Sequence, residues 1–185
     1  MVKALSTLSK ETEELIAKCV SSSGVCGRPL REAHYRLGAV MGRQIQSDFA
    51  LRKKSVAVLI MMRAGLPFGL GIADQLEIDC NVDVLFSTAD NDYSSYDYVI
   101  IADAVINTGK TVFEVIKQMN RSKVIIATNV IAEKYISNFD GLTAYAVRIS
   151  VNSFKGAKTT AVADGKGPDT GDRLFNNSFY NGGKL

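Results

Sequence analysis

The sequence lacks the features that mark membrane-spanning and secreted proteins. No part of its 185 residues approaches the roughly 20 consecutive apolar residues that a membrane-spanning helix requires. The N-terminal segment MVKALSTLSKETEELIAK contains no continuous apolar stretch of signal-peptide length. We therefore expect a cytoplasmic protein that makes no contact with a membrane.

Cysteine, histidine and an excess of charge of one sign are also scarce. The chain has 3 cysteines, which form no Cys-x-x-Cys pair, and 1 histidine, so neither a disulfide framework nor a zinc site is predicted. We interpret the cysteines as buried thiols and His34 as a packed or surface imidazole. The 22 basic and 19 acidic residues leave a net charge of +3, which is too small to indicate DNA as a partner.

Apolar residues are plentiful, and their spacing divides the chain into three parts. They make up 46% of the sequence, which is enough for one compact domain over residues 1–185. Residues 1–50 are predicted to be helical, because apolar residues recur at three- and four-residue steps from Leu30 to Phe49. Residues 51–150 are expected to form an α/β core, and the glycine-rich segment 151–185 an irregular loop.

Short apolar runs rich in β-branched residues predict the strands of this core. They lie at 55–61, 82–87, 98–103, 123–132 and 142–150. Strands that alternate with helices predict a mainly parallel, twisted sheet flanked by helices on both faces. In such a sheet, ligands bind beyond the carboxyl ends of the strands, so the loops after strands are the places to search.

The segment YVIIADAVINTGKTVFEVIKQM combines a strand that ends in an acid, a short loop and a helix. Backbone N–H groups at a helix start lack partners within the helix and attract anions, and Gly109 leaves room for a phosphate. Asp103, at the end of the strand, is placed to accept hydrogen bonds from ribose hydroxyls. The predicted ribose phosphate ligands are Asp103, Asn107, Thr108, Gly109, Lys110 and Thr111.

Two other interpretations of this segment remain open. In the first, Asp103 only caps the turn that follows it, and the glycine only permits that turn. In the second, Ala104 to Thr111 forms a relaxed P-loop, although the strict pattern requires glycine at 104.

Two further segments carry groups suited to a diphosphate and a metal ion. In IMMRAGLPFG, Arg63 and backbone N–H groups offer donors to a diphosphate, although an ordinary strand-to-helix turn has the same pattern. In GKGPDTGDRLFNN, Asp169 and Asp172 supply hard oxygen ligands that suit Mg²⁺ beside a diphosphate. An ion pair between Asp172 and Arg173 is the structural alternative.

These three segments resemble, in order along the chain, motifs of the type I phosphoribosyltransferases, and the last two are similar to those of the uracil phosphoribosyltransferases. The resemblance implies a homodimer that transfers ribose 5-phosphate from phosphoribosyl diphosphate to a nucleobase, most simply uracil, with Mg²⁺, giving UMP and diphosphate. It also implies a role for each group of residues. Asp103 and Arg63 would be catalytic, Arg63, Ala64 and Gly65 would bind diphosphate, Asp169 and Asp172 would hold the metal, and Val162, Ala163, Gly165 and Gly167 would bind the base.

The chain also departs from that family. Ala104 stands where many relatives have a second acid, and residues 161–165 replace the family's Tyr-Ile-Val-Pro-Gly stretch. The segment 86–98 is short and contains aspartates but no lysine or arginine, so it would repel a diphosphate. The alternative function is therefore a catalytically weak or inactive nucleotide-binding regulator or sensor on the same fold.

Overall fold

Six strands and five α-helices make up the part of the chain that the structure describes. It is a computed structural model that describes residues 2–5, 8–87, 91–151 and 169–176. In chain order the elements are β1 (Val2–Ala4), α1 (Lys10–Cys19), α2 (Gly27–Phe49), β2 (Ser55–Ile60), α3 (Leu66–Leu76), β3 (Asn81–Phe86), β4 (Tyr98–Ile106), α4 (Lys110–Ile116), β5 (Val124–Ala132), β6 (Thr143–Ser150) and α5 (Thr170–Phe175). A 3-10 helix, Glu133–Phe139, joins β5 to β6.

All six strands form one parallel sheet in the order β1-β6-β5-β4-β2-β3. The chain runs outward from β2 to β3, and then returns to β4 and continues through β5 and β6 on the other side. The direction of winding therefore reverses between β2 and β4. Ligands of open α/β sheets bind at such a reversal, outside the carboxyl ends of the strands. The turns after β2 and β4 flank this position.

Helices cover both faces of the sheet, which confirms the predicted fold class. On one face, α2 buries five of the apolar positions that the spacing predicted, namely Leu30, Ala33, Leu37, Met41 and Ile45, and Phe49 is partly buried against the same cluster. On the other face, α4 and the 133–139 helix contribute Val112, Ile116 and Phe139 to a second apolar cluster. Within the described ranges, no helix is both long enough and apolar enough to cross a membrane.

The structure differs from the predicted elements at three places. A short strand, β1, pairs with the edge strand β6, although three residues are too few to show a periodic pattern. Strand β4 continues to Ile106 instead of ending at Asp103, because its pairing with β5 extends past the acid. Residues 170–175, inside the segment expected to be irregular, form helix α5.

Candidate functional site

The turn after β2 packs tightly against β4. The Met61 N–H donates to the Ala102 carbonyl at 2.9 Å, and the peptide bond between Met62 and Arg63 is cis. A Cβ atom on Gly65 would lie 2.6 Å from the Met61 carbonyl oxygen, 2.7 Å from that of Ala102 and 3.3 Å from the Asp103 Cα. Glycine is therefore required at 65 for this approach. The predicted diphosphate turn is a direct neighbour of the predicted ribose ligand.

The Arg63 side chain joins this turn to α5. Its Nη2 lies 3.0 Å from the Asp172 Oδ1 and 3.9 Å from the Asp169 Oδ1. The same two carboxylates form the capping box of α5: the Asp172 N–H donates to the Asp169 Oδ1 at 2.7 Å, and the Asp169 N–H donates to the Asp172 Oδ2 at 3.3 Å. The structure thus brings together the diphosphate and metal residues predicted from two distant segments.

Helix α5 is fixed in place by Arg173. This side chain is buried, and its guanidinium donates to the carbonyls of Cys19, Val20 and Val25 and to the hydroxyl of Ser23. The Arg31 Nη1 adds a bond of 2.7 Å to the Leu174 carbonyl. The sequence left open an ion pair between Asp172 and Arg173, but the hydrogen bonds of Arg173 run to the connection between α1 and α2. Arg173 therefore serves as the anchor of α5.

Asp103 lies within β4 rather than at its end, and it is half-buried. Burial raises the pKa of its carboxyl group to about 7, against the lowering effect of bonds from the Ala104 and Val105 backbone N–H groups. The bond from Ala104 measures 2.7 Å. These local bonds match the alternative interpretation, in which the Asp103 carboxylate only caps the backbone that follows it. The Asp103 backbone nevertheless lies beside Gly65, at the reversal of the sheet.

The turn after β4 consists of residues 107–109 and leads into α4. Gly109 has a left-handed backbone, with φ 80°, and a Cβ atom there would lie 2.6 Å from the Phe139 ring and 2.7 Å from the Phe113 ring. We expected the absence of a side chain at Gly109 to make room for a phosphate, but the position of the missing Cβ faces the Phe113 and Phe139 rings inside the protein. On the outer side, Thr108, Lys110 and Thr111 are exposed.

This turn is too short for a P-loop. Residues 104–106, which would begin the P-loop pattern, belong to β4 and pair with β5. Only three residues separate the strand from α4. A P-loop needs a longer glycine-rich loop to surround the phosphates, so this turn does not fit the P-loop interpretation.

One residue at this turn was not predicted from the sequence. The Asn138 Nδ2, in the 133–139 helix, donates to the Thr108 carbonyl at 3.1 Å. An exposed asparagine in a connection carries no pattern of its own, so no sequence signal could have identified it. Asn107 precedes Thr108 in the turn, and its Oδ1 is buried and has no hydrogen-bond partner among the described residues.

The remaining predicted features lie away from this site. His34 is buried, the Asn129 Nδ2 lies 3.3 Å from its Nδ1, and burial lowers its pKa to about 4, so it is a neutral packed imidazole as expected. All three cysteines are free. Cys19 is buried as predicted, but Cys26 and Cys80 are partly exposed, because they lie in the connections that precede α2 and β3.

The acidic segment before β4 packs along the sheet. Tyr93 and Tyr96 contact the apolar cluster on the α4 side, and the Tyr96 hydroxyl donates to the Asp83 Oδ2 at 2.7 Å. The Asp97 Oδ2 accepts a bond of 3.0 Å from the Ser55 N–H, at the amino end of β2. The described part of this segment, 91–97, thus ends at the amino end of β2, whereas the candidate site lies at the carboxyl ends of the strands. The predicted base-binding residues, Val162, Ala163, Gly165 and Gly167, lie outside the described residues.

The available oxygen ligands fit the predicted Mg²⁺. Among the described residues, no three His, Cys, Asp or Glu side chains are grouped closely enough to hold an ion by themselves. Mg²⁺ at phosphate sites needs only one or two protein carboxylates, because phosphate oxygens and water complete its shell. Asp169 and Asp172 supply two carboxylates beside Arg63, and that set suits such an ion.

Comparisons with known proteins show the fold. No protein-family model matches the chain, and no curated protein matches its sequence. A hypoxanthine-guanine phosphoribosyltransferase from Bacillus anthracis, solved with HEPES in its active site, is 14% identical with a TM-score of 0.51, over 82% of this chain and 85% of that chain. A hypoxanthine-guanine-xanthine phosphoribosyltransferase is 11% identical with a TM-score of 0.49, over 65% of this chain and 75% of that chain. This chain therefore has the type I phosphoribosyltransferase fold.

Proposed function

We propose that the protein transfers ribose 5-phosphate from phosphoribosyl diphosphate to a nucleobase and releases diphosphate. The observation that carries this proposal is the convergence of three separate segments at the reversal between β2 and β4. The turn at 61–65 touches β4 beside Asp103, and Arg63 reaches the two carboxylates of α5. Groups suited to a ribose, a diphosphate and a metal ion are thereby adjacent.

The 5-phosphate would bind at the turn after β4. The first N–H groups of α4 lack partners within the helix, and the exposed hydroxyls of Thr108 and Thr111 add donors. Lys110 adds positive charge at the same surface. A monoester phosphate bound there would place its ribose toward Asp103, which lies four residues before Asn107 in the same segment.

The reaction needs no nucleophilic side chain. The nitrogen of the base bonds to the ribose C1 with inversion, while the bond from C1 to the diphosphate oxygen breaks and its electron pair leaves with the diphosphate. The proton of the base nitrogen passes to solvent. Arg63 and the backbone N–H groups of Ala64 and Gly65 would stabilise the charge on the diphosphate, and ionised Asp103 would stabilise positive charge on the ribose.

Magnesium is part of the proposal. Asp169 and Asp172 would hold the ion, which supplies charge stabilisation to the departing diphosphate when it is bound. Without the ion, Asp169 and Asp172 would repel a diphosphate, because the single guanidinium of Arg63 cannot neutralise both carboxylates. This chain's own contribution is to hold Arg63, Asp169 and Asp172 in one cluster at the end of α5.

We propose uracil as the base, on the resemblance of Asp169 to Phe175 to the uracil enzymes. The experiment is a diphosphate-release assay with phosphoribosyl diphosphate, Mg²⁺ and a panel of pyrimidine and purine bases. Release with uracil alone is the expected result. Release with purines alone would move the proposal to another base, and no release with any base would contradict the enzymatic function.

A second candidate function is a nucleotide-binding regulator that does not turn over. The position of segment 91–97 favours it, because the described part of this acidic segment ends at the amino end of β2 and offers no basic side chain to a diphosphate. Tight binding of a nucleoside monophosphate together with no diphosphate release from any base would support this function over transfer.

A further inference from the structure

We infer that Asn138 is a positioning residue that sets the orientation of the phosphate-binding turn. This inference rests on the proposed function, since it concerns the turn that would hold the 5-phosphate. Asn138 lies 30 residues from Thr108 along the chain, in the connection between β5 and β6. Its side chain reaches the turn from the 133–139 helix and donates to the Thr108 carbonyl at 3.1 Å.

Because of the geometry of the peptide bond, this contact also sets the direction of the Gly109 N–H group, a potential donor to the phosphate. The peptide between Thr108 and Gly109 is trans, so its C=O and N–H groups point in opposite directions. Because Asn138 holds the carbonyl toward the 133–139 helix, the Gly109 N–H points away from that helix. Within the described part of the chain, this N–H has no hydrogen-bond partner. It is a donor left available to a ligand.

The neighbouring phenylalanines restrict the turn in a different way. The Phe113 and Phe139 rings pack with their centroids 5.0 Å apart, and both lie where a Cβ of Gly109 would be. They limit the position of Gly109 but do not fix the rotation of the peptide before it. Glycine has the widest backbone freedom of all residues, so that rotation needs a separate restraint. Asn138 supplies the restraint.

Asn138 acts through the Thr108 carbonyl, which is not one of the N–H or hydroxyl donors proposed for the phosphate. Its side chain is exposed, so a purely structural role would amount to one surface hydrogen bond and would leave ligand affinity unchanged. A positioning role predicts a different outcome, in which affinity for the phosphate changes while the chemical step does not. The split between KM and kcat therefore separates the two roles.

The test compares Asn138→Ala with the wild type and with Ser137→Ala, a matched control at the adjacent exposed position of the same 3-10 helix. Titration calorimetry measures the Kd of ribose 5-phosphate, and steady-state assays measure KM for phosphoribosyl diphosphate and kcat. For Asn138→Ala we expect Kd and KM to rise about fivefold, as for one lost hydrogen bond, with kcat unchanged. Ser137→Ala should match the wild type, and Asn138→Gln, which keeps an amide donor, should recover part of the affinity.

The outcomes separate this inference from the proposed function. If the wild type does not bind ribose 5-phosphate, both fail. If the wild type binds it and Asn138→Ala binds it equally well, only the positioning role is overturned. A fall in kcat with unchanged KM would also overturn it. Should Asn138→Ala fail to fold, the comparison of Asn138→Gln with Asn138→Asp replaces it, because the Gln side chain keeps an amide donor and the Asp side chain has none. Equal ligand affinity and equal KM in these two folded variants would overturn the positioning role.

Discussion

The turns after β2 and β4 both face the reversal of the sheet, but they are prepared for anions in different ways. The turn after β4 is held from behind by neutral groups, namely the Asn138 amide and the Phe113 and Phe139 rings. The turn after β2 carries a cation, and that cation is already engaged, since Arg63 lies 3.0 Å from Asp172. One turn is a preorganised set of donors, and the other is part of an ion-pair cluster.

This difference suggests how the two ends of a phosphoribosyl diphosphate would be recognised. Under the proposed function, a monoester phosphate would meet donors at the turn after β4 that need no rearrangement of charge. A diphosphate would have to share Arg63 with Asp169 and Asp172, whose two negative charges exceed the single positive charge of Arg63. Binding at the turn after β2 should therefore depend on the metal ion more strongly than binding at the turn after β4.

The largest effect is expected from Gly109→Ala. The added Cβ meets two aromatic rings and also requires a left-handed backbone, so we expect the free energy of unfolding to fall by about 3 kcal/mol and ribose 5-phosphate binding to be lost. Gly141→Ala is the matched control, because Gly141 has a similar φ of 79° but nothing within 4 Å of its Cβ position. It should lose only about 1 kcal/mol in urea unfolding. Equal losses in the two variants would contradict the packing behind the turn.

Asp103→Asn should reduce diphosphate release by about a hundredfold or more while leaving the protein folded, because the ribose loses its ionised carboxylate. Stability supplies an independent readout. The pKa of Asp103 is about 7 in the folded protein against a usual value of 3.8, so between these values the folded state binds more protons than the unfolded state. The free energy of unfolding should then fall as pH rises from 3.8 to about 7.

That pH effect should be absent from Asp103→Asn, since asparagine does not titrate. The measurement is urea unfolding of both proteins across this pH range, and the difference between them should become constant above pH 7. Parallel curves for the two proteins would contradict the raised pKa of the Asp103 carboxyl group in the folded protein.

A smaller effect is expected from Asp172→Asn, which tests the turn after β2. The substitution removes the charge that engages Arg63 but keeps an oxygen that can accept the Asp169 N–H in the capping box. Affinity for diphosphate without metal should rise roughly two- to fivefold, and the gain on adding Mg²⁺ should shrink. Asp140→Asn, at an exposed acid in another connection, is the control. Weaker metal-free binding by Asp172→Asn would contradict the competition for Arg63.

The smallest effect is expected from Lys110→Ala, at the first residue of α4. An exposed charge near a phosphate contributes modestly, so ribose 5-phosphate affinity should fall about two- to fivefold at low salt and by less at high salt. Lys117→Ala, just beyond the other end of α4, should change little. A salt-independent loss would mean that Lys110 acts through packing.

Much of the fold follows from local patterns in the sequence. The buried face of α2 repeats at helical spacing, and the apolar runs that became β2, β4, β5 and β6 are visible without any partner. The end of β4 was missed because Asp103 interrupts its apolar run, and only the pairing with β5 carries the strand on to Ile106.

Most segments of the candidate site have a local signature in the sequence, but Asn138 and the arrangement of the segments do not. The turns at 61–65 and 107–109 and the acids of α5 each have a local signature. The contact between Arg63 and Asp172 spans 109 residues, and the contact between Asn138 and Thr108 spans 30. No spacing rule links positions so far apart, so only the folded chain shows that one turn is paired with carboxylates and the other is held by an amide.

The most direct test of the account is an NMR titration of the ¹⁵N-labelled protein with ribose 5-phosphate, because it reports on each backbone amide. We predict that the largest shifts occur at the amides of Gly109 and Thr111, with smaller shifts at Gly65 in the turn after β2. Saturable binding that leaves the amides of 107–111 unshifted, or no binding at all, would contradict the assignment of this turn as the phosphate site.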